Sequence, residues 1–114
     1  MTTTTLPLLK GTLDTLVLKA LSWTAMHGFE ITSWLEGRSG GQLEIEDSAL
    51  YQALHRLEER DLVTGEWGVT ANNRRARYYS LTPRGRAHLR AETSTWIRYA
   101  ETVTTILTAT ARSA

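Results

Sequence analysis

The chain has 114 residues and no cysteine, with 41% hydrophobic and 22% charged side chains and a formal net charge of +1. Domains cluster near ~100–150 residues, so this is one domain's worth of chain, long enough to bury a core. These figures exclude a two-domain enzyme, a disulfide framework, a thiolate nucleophile and any Cys-based zinc or iron–sulfur site.

Residues 1–5 are Thr-rich and are expected to fray. They lack the basic and then apolar regions of a leader, and no apolar run in the chain approaches the ~20 residues of a membrane span. A cytoplasmic location without a membrane partner is the expectation. The first periodic segment is Leu13, Leu16, Val17, Ala20 and Leu21. That spacing is one face of a helix, with Thr12 as the expected N-cap, Gly11 turning the chain in and Asp14 near the positive end of the dipole. A second helix is predicted over residues 27–38, with Ile31, Trp34 and Leu35 facing inward and Ser39-Gly40-Gly41 ending it. Leu43 and Ile45 alternate with Glu44 and Glu46, which fits a brief strand or an extended link. The acids there and at Asp47 are expected to cap the next helix or face away from a polyanion.

The third helix is predicted to start near Asp47 or Ser48, both good N-caps, and to end near Arg60-Asp61. Leu50, Ala53, Leu54 and Leu57 form its apolar stripe. Ser48, Tyr51, Gln52 and His55 fall at i, i+3, i+4 and i+7 on the opposite side, with Arg56 beside them. The period then changes from 3.6 to 2. Val63, Trp67 and Val69 alternate in residues 62–69, and Arg77, Tyr79 and Leu81 repeat the pattern. Between these runs lies Thr70-Ala71-Asn72-Asn73-Arg74-Arg75. Asparagine tolerates left-handed backbone angles, so this segment reads as a β-hairpin tip. Trp23, Trp34 and Trp67 are read as core or hinge packing.

Thr82-Pro83 opens the last helix, an N-cap followed by proline at the first helical position. Its pattern could continue to about Thr110. Leu89, Thr93, Trp96, Ala100, Val103 and Leu107 follow a 4-3-4-3-4 heptad seam, which Ile97, Tyr99 and Ile106 widen. Seven threonines between positions 93 and 110 make it a poor helix in isolation. A second copy of the chain, in a two-fold dimer, is the simplest packing partner. The expected fold is thus mainly α with a small β-hairpin: a winged helix-turn-helix over residues 1–82 and a long C-terminal dimerisation helix over residues 83–114.

Charge supports a polyanion partner. Residues 1–66 carry five basic against ten acidic side chains, −5, and residues 67–114 carry eight against two, +6. Arg74, Arg75, Arg77, Arg84, Arg86 and Arg90 lie between Trp67 and Ala91 with no acid among them.

Five motifs in order resemble the PadR family of bacterial transcriptional regulators. They are Leu9-Lys10-Gly11-Thr12-Leu13-Asp14, His27-Gly28-Phe29, Leu50-Tyr51-Gln52-Ala53-Leu54-His55-Arg56-Leu57-Glu58, Glu66-Trp67-Gly68, and Asn72-Asn73-Arg74-Arg75-Ala76-Arg77-Tyr78-Tyr79-Ser80-Leu81-Thr82. They cover roughly residues 8–107 and look like the smaller subgroup with a single C-terminal helix. The resemblance implies a homodimeric winged-helix repressor of double-stranded DNA, acting on a nearby promoter, often its own. The family often has Ser-Leu-Tyr-Pro-Ala-Leu around the recognition tyrosine. Here Ala49 precedes Leu50 and Gln52 follows Tyr51, so the operator sequence does not carry over.

On that reading the third helix enters the major groove. Gln52 pairs with an adenine edge, Ser48 and Tyr51 hold phosphates, Arg56 reaches either, and His55 shares their face. Asn72, Asn73, Arg74, Arg75 and Arg77 form a basic wing on the backbone or the minor groove. The alternatives are turn chemistry for the asparagines and, for Arg75 or Arg77, an ion pair with an acid such as Glu66. Arg84, Arg86 and Arg90 are weaker candidates. The resemblance also implies a small aromatic effector near the dimer interface, where Trp96 and Tyr99 could line a site. The alternative is an interface-core tryptophan. No cofactor or metal is expected. His55 and Glu59 at i, i+4 supply two ligands, too few for a site. Ser48 and His55 stand ~10 Å apart along the helix axis, too far for a nucleophile and its base. The rival to DNA binding is a winged helix that binds protein.

Overall fold

The computed structural model describes residues 5–9 and 11–111. The Thr-rich start lies outside the described residues except for Thr5. The elements are α1 (Thr12–Leu21), α2 (Gly28–Arg38), α3 (Asp47–Glu59), β1 (Val63–Val69), β2 (Arg75–Leu81) and α4 (Pro83–Leu107). This is the mainly helical winged helix-turn-helix with a long C-terminal helix that the sequence pattern predicts.

Periodicity builds the core. Val17, Leu18 and Leu21 of α1 meet Ile31 and Leu35 of α2 and Leu50, Ala53, Leu54 and Leu57 of α3, all buried. Leu62 and Val63 carry the core into the wing. The strands pair antiparallel from Val63↔Leu81 to Val69↔Arg75. Met26 adds a bridge on the other edge of β2: its N–H donates to Tyr79 O (3.1 Å), and Tyr79 N–H donates to Met26 O (2.8 Å). The wing is therefore anchored at its base and free at its tip.

Helix ends show where local chemistry departs from simple preference. Gly11, not Thr12, is the N-cap of α1; at φ 84° it takes a left-handed conformation that a Cβ would oppose. Glu46 precedes α3 without a side-chain cap, and Asp47 sits in the first turn near the dipole's positive end. Residues 43–45 form an extended link with no strand. α3 ends in a Schellman motif. Leu62 N–H donates to Leu57 O (2.9 Å) and Asp61 N–H to Glu58 O (3.0 Å), with Asp61 left-handed at φ 59°.

That ending is locked to the start of α4. Thr82 Oγ1 accepts from Gly85 N–H (2.9 Å), as an N-cap should, and donates to Asp61 O (2.7 Å). Gly85 lets the helix approach: a Cβ there would stand 2.0 Å from the Leu62 carbonyl oxygen. Leu89 is 8% exposed and belongs to its own chain's core. It therefore does not sit on the exposed seam where the heptad spacing put it, because the first turns of α4 pack against α1. Beyond Leu89 the helix is largely uncovered, and it stops at Leu107, short of Thr110. Thr102, Thr105 and Thr108 donate their hydroxyls to the carbonyls four residues back, at 2.7–2.9 Å.

Candidate nucleic-acid interface

Ser48, Tyr51, Gln52 and His55 are all exposed on α3, back to back with the buried leucines. His55 Nε2 lies 2.5 Å from Glu59 Oε1, both on the surface. Tyr51 is ordered from below. Its hydroxyl occupies the space a Cβ on Gly28 would need, 2.6 Å from that position. Gly28 opens α2 behind a reciprocal cap: Glu30 N–H donates to His27 Nδ1 (3.4 Å) and His27 N–H donates to Glu30 Oε1 (3.1 Å). Tyr78 of β2 meets the His27 ring edge-on at 5.3 Å and covers Gly68. The glycines of the His27-Gly28-Phe29 and Glu66-Trp67-Gly68 motifs are seats for tyrosine rings.

Two arginines expected at DNA hold ion pairs within the chain, Arg56 at the surface and Arg77 partly buried. Arg56 forks onto Asp14 of α1, with Nη2–Oδ1 at 2.6 Å and Nε–Oδ2 at 3.2 Å. This hydrogen bonding to Asp14 raises the Arg56 pKa further, against slight desolvation. Arg56 follows Ser48 by eight positions, about 80° around the helix, and that flank meets α1. Arg77 Nη2 lies 2.5 Å from Glu58 Oε2 of α3, with its guanidinium across Gly65. Its buried Nε has no partner among the described residues. Glu66, the acid considered from sequence, is directly opposite Tyr78 and so points to the other face of the hairpin. Arg77 therefore ties the wing to α3. Beneath it Tyr79 is buried, and that burial raises its hydroxyl pKa; Arg77 opposes the shift while Glu58 and Tyr51 add to it.

The wing tip is a closed loop over residues 70–74. Thr70 N–H donates to Arg74 O (2.8 Å), Asn73 N–H to Thr70 O (2.9 Å) and Arg74 N–H to Thr70 Oγ1 (3.2 Å). Asn73 is left-handed at φ 59°, the turn chemistry expected of it. Asn72, Asn73, Arg74 and Arg75 are exposed. Among the described residues neither Arg74 nor Arg75 has an acidic partner. Arg75 lies over the Trp67 ring, 4.6 Å from its centroid.

Trp67 is 61% exposed and Trp23 62%, so neither is core; Trp34 is half-buried against it. Each tryptophan carries a cation instead, Lys19 over Trp23 and Arg38 over Trp34. A groove of about 950 Å³ runs between the wing and the α2–α3 edge, lined by His27, Phe29, Tyr51, Trp67, Arg74 and Arg75 among others. Phe29, 77% exposed, was not singled out by sequence reasoning. Its only signal is its position at a helix start beside a glycine that seats a neighbour. Glu36, Glu44 and Glu46 line a different cleft, beside Leu6 and Leu8.

On α4, Trp96, Ile97, Tyr99, Ile106 and Leu107 are exposed, while Ala100 and Val103 are partly covered. The Trp96 and Tyr99 rings lie 6.4 Å apart beside a cleft of about 470 Å³ against Leu9, Thr12 and Leu16. Among the described residues no group of three or more His, Asp or Glu side chains could hold a metal, and no helix is long and apolar enough to cross a membrane.

Comparison with known proteins agrees with this geometry. The family model for the transcriptional regulator PadR-like family matches residues 17–91. An uncharacterised protein of Lysinibacillus sphaericus is 24% identical over 96 residues, covering 84% of this chain and 88% of that one. A transcriptional regulator from Clostridium thermocellum superposes with a TM-score of 0.76 at 24% identity, covering 83% of this chain and 89% of that one. A PadR-like transcriptional regulator from Bacillus cereus gives 0.75 at 22% identity over 88% and 95%. A PadR family transcriptional regulator from Eggerthella lenta gives 0.74 at 28% identity over 87% and 84%.

Proposed function

The chain belongs to the PadR-like family of transcriptional regulators, and from that premise we propose that it is a homodimeric repressor acting in the cytoplasm on a nearby promoter. The observation that carries this reading is one groove in which Tyr51 of α3, beside the exposed Ser48, Gln52 and His55, faces a wing tip whose Arg74 and Arg75 have no acidic partner among the described residues. In the proposed complex α3 enters the major groove. Gln52 reads an adenine edge through two hydrogen bonds, worth ~1–3 kcal/mol of discrimination. Ser48 and Tyr51 hold phosphates, and His55 lies at the far end of the contact face. Asn72, Asn73, Arg74 and Arg75 follow the neighbouring backbone. Arg56 and Arg77 act indirectly, by fixing α3 on α1 and the wing on α3.

The exposed α4 stripe of Trp96, Tyr99, Ala100, Val103, Ile106 and Leu107 supports pairing with a second copy, since so much apolar surface on a small domain marks an interface. Trp96 and Tyr99 would then line a site beside that interface, suited to a flat aromatic effector that relieves repression.

A salt titration of binding to the intergenic DNA beside the gene tests the reading. Affinity should fall linearly with salt on logarithmic axes. Arg74→Ala should weaken binding and reduce the slope by about 1, whereas Gln52→Ala should mainly relax sequence preference. Binding indifferent to salt and to both substitutions would point to a protein partner instead.

A further inference from the structure

We propose that Trp67 is a positioning residue for DNA binding, holding the Arg75 guanidinium flat and aimed into the groove beside α3. The proposal rests on the DNA-binding reading above and adds a residue to which that reading gave no role.

Strand register brings the two side chains together. Trp67 is opposite Arg77 and Val69 is opposite Arg75, so Trp67 and Arg75 are diagonal neighbours on the same face of the hairpin. That face holds the buried Val63 and Tyr79 at its base, and so looks toward α3. Next to the base Arg77 is occupied by Glu58; nearer the tip Arg75 has the indole and, among the described residues, no acid. An indole 61% open to solvent contributes little to the core, so packing does not account for a tryptophan here. Leaving an aromatic ring exposed is explicable if the ring has a cation to hold.

The chemistry suits an anion contact. Stacking uses the flat face of the guanidinium and leaves its N–H edge free to donate. A long, flexible side chain loses rotamer freedom when it binds, and a ring that already restrains it lowers that cost. The recipients are hydrogen-bond acceptors on duplex DNA. They are either phosphate oxygens or the base-edge acceptors on the floor of a narrow minor groove, where negative potential is strongest.

The test is binding of the full chain to the intergenic duplex by wild type, Trp67→Leu, Trp67→Phe, Arg75→Ala and the Trp67→Leu/Arg75→Ala double variant. Arg75→Ala should weaken binding about ten-fold. Trp67→Leu should weaken it about three-fold, the scale of an exposed cation–π contact. The double variant should bind no worse than Arg75→Ala alone, and Trp67→Phe should recover most of the loss. A salt slope reduced by about 1 in Arg75→Ala identifies a phosphate, and a dependence on A·T pairs flanking the site, lost in that variant, identifies the minor groove. Either result supports the proposal. Thermal midpoints, unchanged within about 2 °C, exclude misfolding as the cause. Additive losses, or full affinity in Trp67→Leu, overturn the role of Trp67 while leaving the α3 reading intact. Wild-type protein without affinity for the duplex overturns both.

Discussion

Tyr51 stands on Gly28, and that contact joins the proposed DNA-facing helix to the start of α2 at the cost of one missing side chain. A methyl group at position 28 has to displace the tyrosine hydroxyl, while the helix itself gains from losing a glycine. Gly28→Ala is therefore expected to leave the thermal midpoint unchanged or raised and to weaken DNA binding several-fold. Parallel melting and binding measurements check this, and a fall in both would mean the contact is merely structural. The same scale shows what one sequence can and cannot carry. Ser48, Tyr51, Gln52 and His55 were legible as one exposed face because helical spacing is local. The Arg56 tether was not legible, and for Arg77 an ion pair was considered but with Glu66 in place of Glu58, because Asp14 and Glu58 lie 42 and 19 positions away in the chain. Trp67 and Trp23 read as core or hinge packing since hydrophobicity alone argues for burial; both are exposed, each with a cation over its ring.

At the scale of elements, order and type follow the periodicity closely, and the boundaries move by a residue or a few. α1 begins behind Gly11 because a left-handed turn outweighs the capping preference of Thr12. α4 stops at Leu107 with Thr108 as its C-cap, short of Thr110. No periodic pattern reveals the junction that locks the end of α3 to the start of α4. Thr82, Asp61, Leu62 and Gly85 meet there through backbone atoms and the Thr82 hydroxyl. Gly85→Ala pushes a methyl group against the Leu62 carbonyl, which a flexible side chain cannot relieve. The expected cost is about 1–3 kcal/mol, the range for overpacking, read as a lower denaturant midpoint at unchanged slope. An unaltered midpoint would mean that the helix start can shift outward freely.

The whole molecule measures 62 × 40 × 21 Å, elongated by the helix that runs past Leu89. Its apolar stripe and its basic wing make complementary demands. In the proposed dimer the stripe packs on a second copy, which brings a second recognition helix related by two-fold symmetry. Half-sites about one helical turn apart, or a multiple of it, then follow. Charge asymmetry is the sequence signal for the proposed polyanion, and the threonine-rich heptad is the signal for the proposed second copy. The most direct measurement is selection of duplexes from a random-sequence pool by the full chain, followed by sedimentation of the selected complex. Two chains per duplex and a two-fold symmetric enriched motif are predicted. One chain per duplex, or a pool that never converges on a sequence, would contradict the account.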